Sequence, residues 1–544
     1  MIPTILKRIS LPGAIIWIGV LLILIGAARI ERILAKTDQL GIISSDPDKW
    51  SVIGASVIAH VPGTASPANT PTANKVEALS PNATLDQNDM HTSGQVMAQS
   101  PSGITYIAGR THTKTQDGKT VQSIVIFRFE ENEYLPSAQA ELTSDGFDRV
   151  SAIAITENGD VVIAGHTSSN SFPGTRLNKA ATGEKAPYTN STFVSLYSPE
   201  LQPLRSSVLE GNGHIITQDL LINTNGNIYL TGSTNASDFP VTPSALSIAL
   251  SATDEPLVVD YGADSFVITI NPNLDTVIAA TLLGGSRDDY AYQLDIDING
   301  NIVVAGNTGS SDFPKTVDTK SSTALKPQFS NIFISIIDPN LSELLASSVW
   351  GSPTSDYLGA LHISDNGSIN LCGHTTSNAF PVTDHFTDNS MKGGHYDAWY
   401  AQLDQGLMRV ERAAYLGGAN NDYCSDLTES KNGSIFMVMN TNSPELLGYE
   451  AEYPGNQKRG GVIAQIHKSI DQDSFGVKLS IDLIAAFRSG AQSSISSLSV
   501  KQQSLWATGL TLAPANYQFT NIGPEISDQR PATSIFRPPW AGVL

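Results

Sequence analysis

Carboxylates are the side chains best placed to do chemistry in this sequence. Six of them recur at comparable points: Asp145, Asp148, Asp288, Asp289, Asp356 and Asp422. A ring of carboxylates on one face would hold a divalent cation such as calcium, or steer a basic partner. An Asp returning at one place in successive repeats also caps backbone amides in a loop, and that structural role is the expectation. If a metal bound, Asp288, Asp289, Asp356 and Asp422 would be its ligands. The run Asp295-Ile-Asp297-Ile-Asn299-Gly300 opens with calcium-loop spacing, but Gly306 stands at its twelfth position, where such loops carry a bidentate Glu.

His166 and His374 share one position in two repeats, and Arg110, Ser233 and Asn307 hold it in others. That variety suits a polar contact better than a catalyst. The 10 His are scattered without metal-ligand spacing. Cys372 and Cys424 are too few for a disulfide framework or a metal site. Two buried free thiols are expected, with a single bridge in an oxidising compartment as the alternative. Zinc motifs, a phosphate-cradling Gly loop and a G-x-S-x-G elbow are absent from the sequence, so no catalytic residue and no cofactor are assigned.

The elements that position these residues repeat. Asn158-Gly159, Asn225-Gly226, Asn299-Gly300, Asn366-Gly367 and Asn432-Gly433 follow one another at a nearly constant interval of about 70 residues. Ser102-Gly103 lies rather less than one interval before the first pair, and Gln503-Ser504 lies one interval after the last, which makes seven units. Each pair sits between short alternating apolar stretches, as in VSAIAITENGDVVIAGHT, and reads as a two-residue type I′ hairpin. A second apolar pair around a polar or Pro turn follows in each unit, for example DSFVITINPNLDTVIAATLLGG. Two hairpins make a four-stranded antiparallel blade, with strands A to D, and seven blades close a disc. A β-helix has a shorter period, and a sandwich gives no reason for seven copies.

A signature accompanies the repeat: GHTSSNSFP (165–173), GSTNASDFP (232–240), GNTGSSDFP (306–314) and GHTTSNAFP (373–381), with LLGGSRDDY (282–290) or YLGGANNDY (415–423) ahead of a unit. Together these resemble the SBBP β-propeller repeat family of bacteria and archaea. The match runs through roughly 140 to 442 and weakens outside, where unit six has Met439 for the Gly and unit seven keeps SLWATGLT (504–511). The resemblance implies a propeller in an exported or cell-surface protein, and implies no catalytic activity. The Ser-x-Asp-x-Gly-x-Thr-Trp box of sialidase-like propellers is missing.

Tight A–B and C–D turns are expected on one face. The insertions fall in the B–C loops on the other, at about 174–191, 241–264, 315–330, 382–396 and 442–460. Long loops on a rigid scaffold are where binding resides. Tyr188, Tyr261, His385, His395, Tyr396, Tyr449 and Tyr453 on these loops are the expected partner-binding residues.

At the amino end, Leu11–Ala28 is an apolar run without a charge, preceded by Lys7 and Arg8, and its length is at the short end of what spans a bilayer as a helix. It reads as an uncleaved transmembrane anchor (1–36), with a cleaved signal peptide as the alternative. Residues 37–94, rich in Pro, Ala, Thr and Asn from Pro62 onward, read as a spacer that lends a closing strand near 50–60. Residues 95–520 form the propeller, and 521–544 a tail that supplies a further strand at ATSIFRP (532–538) to the last blade.

The net charge is −20, and beyond residue 36 the balance is 27 basic to 51 acidic side chains. So acidic a body repels nucleic-acid phosphate, which excludes nucleic-acid binding. The sequence thus predicts an all-β, seven-bladed β-propeller with an N-terminal transmembrane helix and a flexible spacer, single-pass, with the propeller periplasmic or extracellular. Its expected role is non-enzymatic: a structural or interaction module for a protein partner in a membrane or surface assembly. The alternatives are a cell-surface carbohydrate-binding adhesin and a propeller lyase or hydrolase.

Overall fold

The computed structural model describes residues 51–56 and most of 93–534. Residues 1–50, 57–92 and 535–544 lie outside the described residues, as do the loops at 179–188, 248–261, 320–328, 384–389 and 451–459 and several shorter stretches. The expected anchor, Leu11–Ala28, therefore lies outside them. Among the described residues no helix is long and apolar enough to cross a membrane.

Six antiparallel sheets follow the repeat and make a six-bladed propeller. The first comprises Ser93–Gln99, Thr105–Lys114, Thr120–Phe129 and Ala138–Thr143, in that order. Blades two to five have strands A at Asp148–Ile155, Ile215–Ile222, Asp289–Ile296 and Asp356–Ile363. Each continues A-B-C-D outward, and blade two adds the short strand Thr175–Arg176 outside D. Blade six runs from Asp422–Glu429 through Ile435–Thr441 and Gly460–Ile470 to Val477–Arg488. Strands A of successive blades touch one another in sequence, and Ser493–Lys501 lies between those of blades six and one.

The expectation of seven four-stranded blades is not met. The seventh hairpin, Ser493–Lys501 and Ser504–Thr511, is joined by Ser51–Ser56 in a three-stranded sheet. That amino-terminal strand lies parallel to Ser504–Thr511, with Ser51 opposite Ser504. The carboxy-terminal pieces go elsewhere: Gln518–Asn521 pairs with Val477–Arg488, and Thr533–Ser534 with Gln518–Asn521, widening blade six to six strands. The strand expected within 532–538 thus extends the sixth sheet and not the seventh. Strand A of blade one begins at Ser93, so the segment expected as a spacer is bracketed by two strands of the fold.

The hairpins also differ in type from the expectation. Gly226 N–H donates to Asn223 C=O at 2.8 Å, and Asn223 N–H to Asn227 C=O at 3.0 Å. Gly226 has φ +79°, and among the described non-glycine residues positive φ is confined to four leucines. The turn is therefore a three-residue loop, a type I turn closed by a left-handed Gly, and Asn225 does not need the left-handed region. Asn223 Oδ1 accepts the N–H groups of Asn225 and Asn227, fixing the turn from its first residue.

A related turn recurs between strands C and D with Leu in place of Gly, as a three-residue loop in blade two and a four-residue loop in blades three to five. Leu201, Leu274, Leu341 and Leu407 have φ of 58° to 61° and are all buried. Each left-handed Leu costs on the order of 1 kcal/mol, which burial of its side chain offsets. Their carbonyls join blades: Ser207 Oγ donates to Leu274 C=O, Leu246 N–H to Leu341 C=O, and Thr319 Oγ1 to Leu407 C=O.

The core lies between the blades. Strand C is buried along its whole length in blades two to five, as in Asp264–Ile270, and strand B nearly so. The two cysteines are bridged, contrary to the expectation of free thiols. Cys372 on strand B of blade five and Cys424 on strand A of blade six have Cα atoms 5.8 Å apart. Register brings them together, because strand B of one blade packs on strand A of the next.

Candidate binding surfaces

The recurrent Asp begins strand A in four blades, and Asp148, Asp289, Asp356 and Asp422 are each fully buried. Ser352 N–H and Thr375 Oγ1 donate to Asp356 at 2.6 and 2.5 Å. Gly285 N–H and Ser310 Oγ donate to Asp289 at 2.7 and 2.8 Å. Gly418 N–H and Ser443 Oγ donate to Asp422 at 2.7 and 2.9 Å. Burial pushes these carboxyls up, Asp289 to about 7 and Asp356 to about 6. Asp288 instead accepts from Ala263 N–H and the Tyr290 hydroxyl. The four carboxylates named as metal candidates sit in three different blades, and each is held by hydrogen-bond donors of the loops and strand ends around it. Among the described residues no three His, Cys, Asp or Glu side chains gather to hold a metal ion.

The position shared by His166 and His374 joins neighbouring blades. Asn307, its counterpart in blade four, donates to Asp356 C=O at 2.7 Å and accepts from Leu358 N–H at 3.2 Å, so it clasps strand A of blade five. Burial, with help from Arg149, holds His166 down to about 4, and burial alone does the same to His374.

Lower on strands A lies a polar cluster that the sequence reading did not assemble. Asp219 accepts from Leu294 N–H of the next blade at 3.0 Å, Asp295 from Ile363 N–H at 2.8 Å, and Asp426 from Leu498 N–H at 2.7 Å. Strand A is the edge of each sheet, so its inward N–H groups would otherwise lack acceptors. Burial pushes Asp219 up to about 7 and Asp426 to about 6. His362 lies 3.7 Å from Asp295 and 3.6 Å from Glu429. Burial works against its charge, but Glu429 and Asp295 outweigh that and raise its pKa. The signal was present: charged residues interrupt the apolar pattern of strand A in QDLLI, QLDI, ALHI and SDLTE.

At the other end of strands A, on the face of the B–C loops, aromatic rings gather. Tyr357 stacks on His374 with centroids 4.9 Å apart. Tyr396 stands 5.3 Å from His374, 6.2 Å from Tyr357 and 5.4 Å from Tyr423, and His395 lies 4.5 Å from Tyr396. His395 is exposed, and the others are half-buried. Of the expected partner-binding residues, His395 and Tyr396 therefore belong to one patch, which Tyr357, Tyr423 and His374 complete. The Asp-Tyr pair that opens strand A in three blades was the signal for the added tyrosines. Tyr449 lies on the short strand Tyr449–Glu450, paired with Glu445–Leu446. Tyr188, Tyr261, His385 and Tyr453 lie outside the described residues.

The signature residues have structural tasks. Phe172, Phe239 and Phe313 of the Phe-Pro pairs pack on Phe193, Phe266 and Phe333 of strand C in their own blades, at 4.7, 5.0 and 4.5 Å. In blade five Phe380 meets Trp399 at 5.0 Å. Thr234, Thr308 and Thr375 each accept the N–H two residues on, at 2.9 to 3.0 Å.

No curated protein matches the chain. Among solved structures it is similar to a protein of unknown function from Dyadobacter fermentans, at 8% identity over 69% of this chain and 94% of that one, with TM-score 0.37. A Pyrococcus horikoshii acylaminoacyl peptidase (10% identity, 73% and 51% covered, TM-score 0.34) and Drosophila Plexin A in complex with Semaphorin 1b (10%, 75% and 84%, 0.34) are also similar. Likeness at this level says nothing of what this chain binds. The family described as a beta-propeller repeat, SBBP, matches residues 210–240 and 280–314. Those two stretches carry the Gly-x-Thr…Phe-Pro signature in blades three and four, so the propeller contains SBBP-type β-propeller repeats in these two blades.

Proposed function

We propose that the chain is a non-enzymatic β-propeller interaction module, anchored in a membrane by Leu11–Ala28 and working outside the cytoplasm. In this reading its B–C loop face holds a protein partner in a membrane or surface assembly. One observation carries it: in blades two to five the turns on one face are three- or four-residue loops locked by their own hydrogen bonds, while the long insertions leave from the other face. The Cys372–Cys424 bridge supports an oxidising compartment, since disulfides persist outside the cytosol.

The three-stranded sheet lies between blades six and one, and Ser51–Ser56 is its outer strand. This leaves residues 29–50 to link the anchor to the ring. That linker spans at most roughly 75 Å when fully extended, so the partner lies close to the membrane. The test is gentle detergent extraction of the full chain and mass spectrometry of what stays bound. A stoichiometric membrane protein, lost on deletion of 241–264 or 382–396, is expected. Retention of the partner by both deletions would overturn the loop-face reading.

A second reading, a carbohydrate-binding adhesin, is favoured by the half-buried patch of Tyr357, His374, Tyr396 and Tyr423, whose rings offer apolar faces to a sugar. Glycan capture that free sugar displaces is the expected result. Capture unchanged by Tyr396→Ala would speak against this patch.

A further inference from the structure

The level of strand A that carries Tyr357 and Tyr423 has a different character in blades one and two. Arg149 occupies the position of those tyrosines in blade two and faces His166 directly across the A–B pair. Arg110, the equivalent of His166 in blade one, is opposite Ser93. Arg149 is exposed, and Arg110 is half-buried with its Nε enclosed and without a hydrogen-bond partner. Neither guanidinium joins an ion pair among the described residues. Burial and the nearby Arg149 both press Arg110 toward deprotonation, and Arg149, Arg110 and His214 all act on His166.

Two unpaired guanidinium groups side by side are unusual on a chain with a net charge of −20. Their mutual repulsion is an uncompensated cost that a bound anion removes, and a planar carboxylate suits the guanidinium fork. Strand Ser493–Lys501 lies between strand A of blade one and that of blade six, which carries Tyr423. The cationic corner and the aromatic patch therefore occupy one level of one ring, on the same face.

We infer that this face binds an acidic saccharide, its carboxylate held by Arg110 and Arg149 and its sugar rings stacked on Tyr357, Tyr396 and Tyr423. The inference rests on the carbohydrate reading above and adds the ligand class to it.

The probe is an oligomer of galacturonic acid, set against the same oligomer fully methyl-esterified, titrated calorimetrically into the full chain in detergent. The acid form is expected to bind about tenfold more tightly than the ester, with an advantage that shrinks as salt rises. Arg149→Gln, at an exposed position, is expected to remove most of that advantage, while Tyr396→Ala weakens acid and ester alike. Arg110→Gln is included with its thermal unfolding recorded, so that misfolding is distinguished from lost binding. Equal binding of acid and ester would overturn the carboxylate assignment and leave the carbohydrate reading standing. Binding of neither would overturn both. Displacement of the acid by millimolar inorganic phosphate as readily as by free galacturonate would show a generic anion site, and would also overturn the inference.

Discussion

Two glycines in one hairpin of blade four carry different loads. A Cβ on Gly306 would stand 2.0 Å from the Tyr290 carbonyl oxygen, because strand A bulges between Ala291 and Gln293 just where Gly306 faces it. A Cβ on Gly300 would meet nothing within 4 Å, and its demand is the φ of +83° alone. Gly306→Ala is therefore expected to cost on the order of 3 kcal/mol, and Gly300→Ala about 1 kcal/mol, by chemical denaturation. Equal costs would mean that the bulge relaxes freely. Asp219 supplies a pH dependence of definite sign. Its folded pKa of about 7 lies above the ordinary carboxyl value, so its contribution is complete below about pH 4 and is lost as pH rises through 7. Asp219→Asn keeps an acceptor for Leu294 N–H and removes the titration. The variant should match the parent below about pH 4 and exceed it at pH 8; a variant less stable at pH 8 would show that the ionised carboxylate holds the neighbouring strand better than burial penalises it. The spacing of the signature Gly and the recurrent Asp were legible in the sequence. The carboxylates lower on strand A were not, because their partners are backbone N–H groups 68 to 75 residues away.

At the scale of the element, blades two to five are each closed by a side chain from outside their strands. Phe313 leaves strand B through the signature and returns to stack on Phe333 of strand C. With both rings fully buried, Phe313→Ala is expected to cost roughly 3–5 kcal/mol. Denaturant titration would measure it, and a loss below about 1 kcal/mol would mean that the ring is replaceable by its surroundings. The Phe-Pro motif was visible as a pattern, whereas its task needed the fold. The hairpins show the converse: Asn-Gly correctly located the turns but not their type, since Gly at the third loop position and a side-chain acceptor on the residue before the loop suffice without a left-handed Asn. The C–D turns were harder to read. A left-handed Leu is favoured by no local rule, and becomes reasonable when its side chain is buried against the neighbouring blade.

For the whole molecule, repeat spacing was enough to find the propeller, because each blade repeats one local pattern. The closing strand expected near 50–60 is found at Ser51–Ser56, opposite Ser504, but the blade count was not legible, since it depends on how segments from the two ends of the chain are shared between the last sheets. The cysteines were misjudged for the same reason: 52 residues separate them, and only the packing of blade five against blade six makes them neighbours. That bridge ties the last blade with a full signature to the one where the signature fails. Closing a loop of that length stabilises by about 4 kcal/mol in the chain-entropy treatment. The oxidised chain should therefore resist denaturant more than the reduced chain, and the Cys372→Ala/Cys424→Ala double variant should resemble the reduced form and be indifferent to reductant. Because the ring contacts are continuous from blade to blade, the loss should lower the whole unfolding transition together and not release blade six alone. Tryptophan fluorescence of a variant that keeps only Trp350 and Trp399 of the 6 Trp, both buried in blades four and five, reports one side of the clasp, and hydrogen exchange along Ile435–Thr441 reports the other. Separate midpoints for these two probes in the reduced chain would show that the bridge is what makes the two blades a single cooperative unit.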